Sequence, residues 1–77
     1  MNSRKVIGTI IENRGITYAE VGRRLDVSRA TIWDRVNNAK GKDVYASVLA
    51  DTLAVLDYKL VAVPKNTPLP EDAYTIT

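Results

Sequence analysis

Neither cysteine nor histidine occurs among the 77 residues, which removes the thiolate and imidazole behind most nucleophilic, general-base and transition-metal chemistry. Disulfides and a structural zinc site are excluded with them. No Gly-rich phosphate loop of the Walker or dinucleotide type is present. An enzyme is therefore not expected, nor a cofactor, nor a bound metal. No apolar run approaches the roughly 20 residues that cross a bilayer, and Met1-Asn2-Ser3-Arg4-Lys5 is followed by no signal-peptide core. The expected location is the cytoplasm, away from membranes. A chain this short buries only roughly 60% of the surface its unfolded form exposes, so one domain that leans on self-association is anticipated.

Charge is unevenly spread. The formal net charge is +2, yet residues 1–42 carry nine basic side chains (Arg4, Lys5, Arg14, Arg23, Arg24, Arg29, Arg35, Lys40, Lys42) against four acids (Glu12, Glu20, Asp26, Asp34), whereas residues 43–77 carry two against five. A basic front half suits a polyanionic partner, and the acidic back half is expected to face away from it.

Val6, Ile7, Ile10 and Ile11 repeat with helical spacing behind the capping residues Asn2 and Ser3, and Gly15 supplies a stop, which predicts a helix over about Ser3 to Arg14. Thr17 and Glu20 have the spacing of a capping box, and Ile16 and Val21 that of a hydrophobic staple, so a second helix is expected to run from there to about Leu25. Asp26-Val27-Ser28 breaks the pattern: Asp26 tolerates the left-handed conformation of a tight turn, and Ser28 is a preferred cap for another helix. That third helix spans about Arg29 to Asn38. At about 100° per residue, Ile32 and Val36 fall on its inner side, with Ala30, Trp33, Asp34 and Asn37 opposite. After the loop Asn37 to Lys42, Asp43 is a candidate cap for a fourth helix, in which Val44, Val48, Leu49, Thr52, Leu53 and Leu56 form the most apolar stripe of the chain. Tyr58 to Val63 then reads as a β-strand ended by Pro64, and Ala73 to Thr77 as a short second strand.

Two short helices joined by a tight turn, inside a basic half, is the plan that lays a second helix in the major groove of DNA. Ile16 through Asn38 resembles the helix-turn-helix of phage repressor and Cro-type regulators. Gly22 stands where that family wants a tiny residue, Val21, Leu25, Val27 and Ile32 where it wants apolar locks, and Ser28-Arg29 where it starts the recognition helix. The resemblance covers about Ser3 to Leu56 and departs in three places. Asp26 replaces the usual turn Gly, Tyr18 replaces the Gln that often touches a phosphate, and Arg35 occupies an expected apolar position with Val36 taking over one residue later.

The fold implied is mainly α, a compact four-helix helix-turn-helix domain over 1–57 with a short C-terminal β-strand or hairpin in 58–77. The resemblance implies base contacts from Arg29, Ala30, Trp33, Asp34 and Asn37. Arg29 suits guanine, Asn37 adenine, Ala30 a thymine methyl, and Asp34 cytosine or a neighbouring arginine. A lone Trp on a helix usually belongs to a core, but Trp33 lies opposite Ile32 and Val36. Phosphate contacts are expected from Thr17, Tyr18, Ser28, Thr31, Asn38, Lys40 and Lys42, with Thr17 and Ser28 at helix N-termini that attract anions. Arg4 and Lys5 are further candidates for flanking DNA, while Arg23 and Arg24 read as a solvated face.

The unpaired edge of the Tyr58 to Val63 segment needs a partner. One expectation is an internal hairpin with Ala73 to Ile76. The preferred one is pairing between subunits through Tyr58, Leu60, Val61, Ala62 and Val63, which would set two recognition helices roughly 34 to 36 Å apart. The function these features imply is a small sequence-specific DNA-binding repressor acting as a homodimer on double-stranded DNA, associated with the nucleoid. The competing expectation is a protein-interaction module, such as an antitoxin or phage-encoded inhibitor, whose tail binds another protein.

Overall fold

The computed structural model describes residues 1–38 and 43–77. Among them the chain forms four helices: α1 (Ser3–Arg14), α2 (Tyr18–Leu25), α3 (Arg29–Asn37) and α4 (Ala46–Ala54). α1 packs against α3 and α4, and α2 packs against the same two. The core is built from Val6, Ile7, Ile10 and Ile11 of α1, Val21 of α2, Ile32 of α3 and Leu49 and Leu53 of α4, closed by Leu56.

Each of the first three helices starts on a side-chain cap. Asn2 accepts from the Lys5 amide at 2.8 Å, Thr17 from the Glu20 amide at 3.1 Å and Ser28 from the Thr31 amide at 3.1 Å. These bonds satisfy amides that the first turn leaves without an intrahelical partner. The capping box at Thr17 is only half formed. The Glu20 carboxylate turns to Arg23 and Arg24 and does not reach back to the Thr17 amide. Hydrogen bonding from Arg23 holds the Glu20 carboxyl below its ordinary range, because a charged partner within the helix is worth more to the carboxylate than a neutral amide.

α1 and α2 stop by the same device, and the turn that follows α4 repeats it. Gly15, Asp26 and Asp57 take left-handed backbone angles, with φ of 64°, 57° and 63°. In each case the next amide reaches back five residues: Ile16 to the Ile11 carbonyl (3.2 Å), Val27 to Gly22 (2.9 Å) and Tyr58 to Leu53 (2.9 Å). Ile16, Val27 and Tyr58 then pack against the core, so each stop both ends a helix and redirects the chain inward. At the α2–α3 turn the path is crowded. A Cβ on Gly22 would lie 2.7 Å from the Val27 carbonyl oxygen, a backbone atom that cannot step aside.

α4 begins later than the sequence pattern suggests. Its N-cap is Tyr45, without a side-chain cap bond, and Asp43 instead accepts from the Ser3 hydroxyl at 3.5 Å. Val44 reaches the core from ahead of the helix. Thr52 is fully buried and satisfies its hydroxyl on the Val48 carbonyl at 2.7 Å. Among the described residues no helix is long and apolar enough to cross a membrane.

The expected C-terminal strand and hairpin do not form: among the described residues there is no strand at Tyr58–Val63 or Ala73–Thr77. The physical reason is where the backbone groups go: between the two segments the chain makes local turns, with Thr67 bonded to the Pro64 carbonyl and Ala73 to that of Pro70, and the second segment bonds to Met1, the Thr77 amide donating to the Met1 carbonyl at 3.0 Å and the Met1 amino group to the Thr75 carbonyl at 3.3 Å. Aromatic contacts hold the tail instead. The Tyr58 and Tyr74 rings meet at 5.9 Å and 53°, the Arg14 guanidinium lies 5.4 Å from the Tyr58 ring centre, and Asn13 donates to the Tyr74 hydroxyl at 3.0 Å. The Tyr58 hydroxyl donates to the Asp72 carbonyl at 3.0 Å. Tyr58 is thereby turned inward, whereas Leu60, Val61, Ala62 and Val63 are exposed.

Replacing Gly22 with Ala is expected to lower stability by about 1–3 kcal/mol through overpacking against the turn backbone. Thermal unfolding followed by circular dichroism should show a melting temperature lower by several degrees, and an unchanged value would contradict the crowding at this turn.

Candidate nucleic-acid interface

α3 has one fully buried residue, Ile32, with Val36 half-buried beside it against the core. Every other polar or small residue predicted to face outward does so. Arg29, Ala30, Trp33, Asp34 and Asn37 are all exposed, and the Trp33 side chain keeps 54% of its surface accessible. A tryptophan that open, on a helix with an aliphatic inner side, is not a core residue.

The start of this face is ordered by hydroxyls. Ser28 Oγ, besides capping α3, lies 2.9 Å from Thr31 Oγ1, which fixes both groups beside the free amides of the first turn. Thr17 occupies the equivalent place on α2 and is exposed. Both helix starts therefore combine an exposed hydroxyl, unpaired amides and the positive end of the helix dipole, a combination suited to an anion.

The far end of α3 is braced. The Tyr18 ring packs against the core and its hydroxyl accepts from Asn37 Nδ2 at 3.4 Å, which ties the start of α2 to the end of α3. Asn37 Nδ2 also donates to the Trp33 carbonyl at 3.1 Å, so the amide nitrogen that would read adenine is engaged within the protein. Asn38 donates to the Asp34 carboxylate at 3.1 Å and is half-buried. Arg35 turns toward α4, where its guanidinium donates to the Thr52 hydroxyl at 3.3 Å. This accounts for an arginine at a position where an apolar residue was expected: the long side chain spans to α4 and finds an acceptor there.

Arg4, a candidate for flanking DNA, is half-buried and reaches across to α3. Its Nη1 donates to the carbonyls of Asp34 (2.9 Å) and Arg35 (3.0 Å) at the end of α3, a link that no local signal in the sequence announces because the partners lie some thirty residues apart. Arg23 and Arg24 pair with Glu20, and Arg24 also donates to the Val55 carbonyl at 3.0 Å. Both arginines are exposed, as the solvated face expected of them requires. Lys40 and Lys42 lie outside the described residues. Among the described residues no group of acidic or metal-binding side chains is placed to hold a metal ion.

Comparisons with curated proteins and with solved structures give no match. The sequence model of winged helix-turn-helix DNA-binding domains matches residues 2–43, a stretch that contains α1, α2 and α3 and ends before α4. No β-hairpin wing follows α3 among the described residues. A buried inner side, an open outer side and a tight left-handed turn between α2 and α3 agree with that match, and the chain belongs to the winged helix-turn-helix DNA-binding family.

Proposed function

We propose that the protein is a sequence-specific transcriptional regulator, a small repressor of the phage repressor or Cro type, that lays α3 in the major groove of operator DNA. The observation that carries this reading is the open outer side of α3, where Arg29, Ala30, Trp33 and Asp34 stand exposed above the buried Ile32. Arg29, at the first position of the helix, is suited to a bidentate bond with guanine, Ala30 and Trp33 to apolar contact with thymine methyls, and Asp34 to cytosine. Asn37 contributes through its carbonyl oxygen unless DNA displaces its bond to Tyr18. Thr17, Tyr18, Ser28, Thr31 and Asn38 hold phosphates around this face, with Lys40 and Lys42 adding charge beyond its end. No catalytic step and no cofactor enters: charge supplies nonspecific affinity, base contacts supply preference, and the protein works in the cytoplasm at the nucleoid.

Two half-sites read by a homodimer would turn weak contacts into useful affinity. The exposed Leu60, Val61 and Val63 supply apolar surface for such a dimer, through side chains rather than a strand ladder. Sedimentation showing only monomer at high concentration removes the dimer. The same exposed residues favour a second reading, in which the tail captures another protein. Co-purification with a stable partner, together with DNA affinity that vanishes at physiological salt, selects that reading.

Selecting bound duplexes from a random pool tests the proposal directly, and an inverted repeat is the expected outcome. Against the selected duplex, Arg29→Ala should relax base preference by about 1–3 kcal/mol, whereas Lys40→Ala or Lys42→Ala should weaken binding to every sequence and reduce the salt slope by about 1. Unchanged preference in Arg29→Ala removes that side of α3 from base reading.

Ser28 separates capping from phosphate binding. Ser28→Ala should cost about 1 kcal/mol of stability. Ser28→Asp should keep the cap, and so the melting temperature, while weakening DNA binding because its carboxylate faces phosphate. Undiminished binding by the Asp variant takes Ser28 out of the phosphate contacts.

A further inference from the structure

We propose that Arg4 is a positioning residue for DNA recognition: it touches no DNA, but by gripping the end of α3 from α1 it sets the angle at which α3 presents its outer side. The inference rests on α3 being the recognition helix and adds what determines its orientation.

The last carbonyls of a helix have no intrahelical partners and form the negative end of its dipole. Arg4 Nη1 places a charged donor on two carbonyls of this last turn, that of Asp34, which also accepts the Asn38 amide at 3.1 Å, and that of Arg35. Charge-assisted bonds of this kind are shorter and stronger than neutral ones. Their location matters because the packed side of α3 is narrow: Ile32 is fully buried and Val36 half-buried beside it, so apolar contact with the core runs along one side of the helix only. Polar braces act at the same end from other sides, Arg35 on Thr52 and Asn37 on Tyr18. Arg4 is the brace from α1, and the close approach of α1 and α3 makes its reach possible. At Gly8 a Cβ would lie 2.8 Å from Val36 Cγ1, so the absence of a side chain there brings the two helices together. One of the two carbonyls that Arg4 holds belongs to Asp34, itself on the outer side of α3 and next in sequence to Trp33. A change in the grip moves these side chains relative to base edges without altering their chemistry.

A phosphate clamp and a positioning residue differ in salt dependence. Each phosphate contact that is lost lowers the slope of log affinity against log salt by about 0.9, whereas loss of orientation leaves the slope unchanged and lowers preference. The test uses full-length wild type, Arg4→Gln and Arg4→Lys, with fluorescence anisotropy on a duplex selected by the wild type and on a scrambled duplex of the same composition, over a range of salt. Arg4→Gln should lose preference for the selected duplex by about tenfold, comparable to the loss of one base contact, at an unchanged slope. Arg4→Lys keeps a cation at the carbonyls and should recover part of the preference. Without DNA, amide hydrogen exchange at residues 35–38 should accelerate in Arg4→Gln relative to the rest of α3. A slope lower by about 0.9 with equal loss on both duplexes makes Arg4 a phosphate contact and overturns the proposal. So does a wild-type preference in Arg4→Gln, or in Arg4→Lys alone with unaltered exchange if the Gln variant does not fold. If the wild type itself discriminates no duplex, the recognition-helix reading falls and the inference falls with it. If the wild type discriminates and the variants do too, only the inference falls.

Discussion

A helix of nine residues is marginal by itself in water, and α3 sinks only Ile32 fully into the core. That sparse burial is the constraint around which the rest is arranged. A helix that leaves most of its circumference open receives little hydrophobic stabilisation, and part of its placement has to come from elsewhere. Here the N-terminal end is held by the Ser28 cap and the tight turn, and the C-terminal end by three polar braces that originate in α1, α2 and α4. Each of the other helices thus contributes one side chain to the orientation of the exposed one.

The turn ahead of α3 belongs to the same arrangement. Asp26 stands in the left-handed region where glycine is the easier residue, and the backbone just after it passes close against Gly22. The small residue is needed in α2 and the polar one in the turn. Repetition of this left-handed turn at Gly15 and, after the end of α4, at Asp57, each succeeded by a residue that packs against the core, lets a chain of short helices fold back on itself with few connecting residues. The cost of two left-handed aspartates is offset by the bonds that each succeeding amide makes to the helix it terminates.

The tail obeys different physics. Its β-branched and aromatic residues have strand character, yet its two segments do not pair with each other, and it is anchored through the Tyr58 and Tyr74 rings, the Arg14 cation, two hydroxyl bonds and the backbone bonds of Thr75 and Thr77 to Met1. Propensity described the local chain direction, which is extended, but a strand also needs a neighbour whose backbone is free to pair. The apolar side chains left outside, Leu60, Val61 and Val63, are the part of the tail available to a partner.

The caps at Asn2, Thr17 and Ser28, the stops at Gly15 and Asp26, and the inner and outer sides of α3 were all legible from the residues alone. Each depends on interactions within three to five positions, or on helical periodicity, and these act wherever the chain goes. What required the assembled molecule were the contacts between distant positions: Arg4 on the carbonyls of Asp34 and Arg35, Arg35 on Thr52, Asp43 on Ser3 rather than at a helix start, and Tyr58 on Tyr74 in place of a hairpin. A long polar side chain carries little information about its destination, because its stem is flexible and its charged group accepts any suitably placed partner. Only the packing of the helices brings one such partner within reach, and so the identity of the open side of α3 was written locally while its orientation was decided by the tertiary structure.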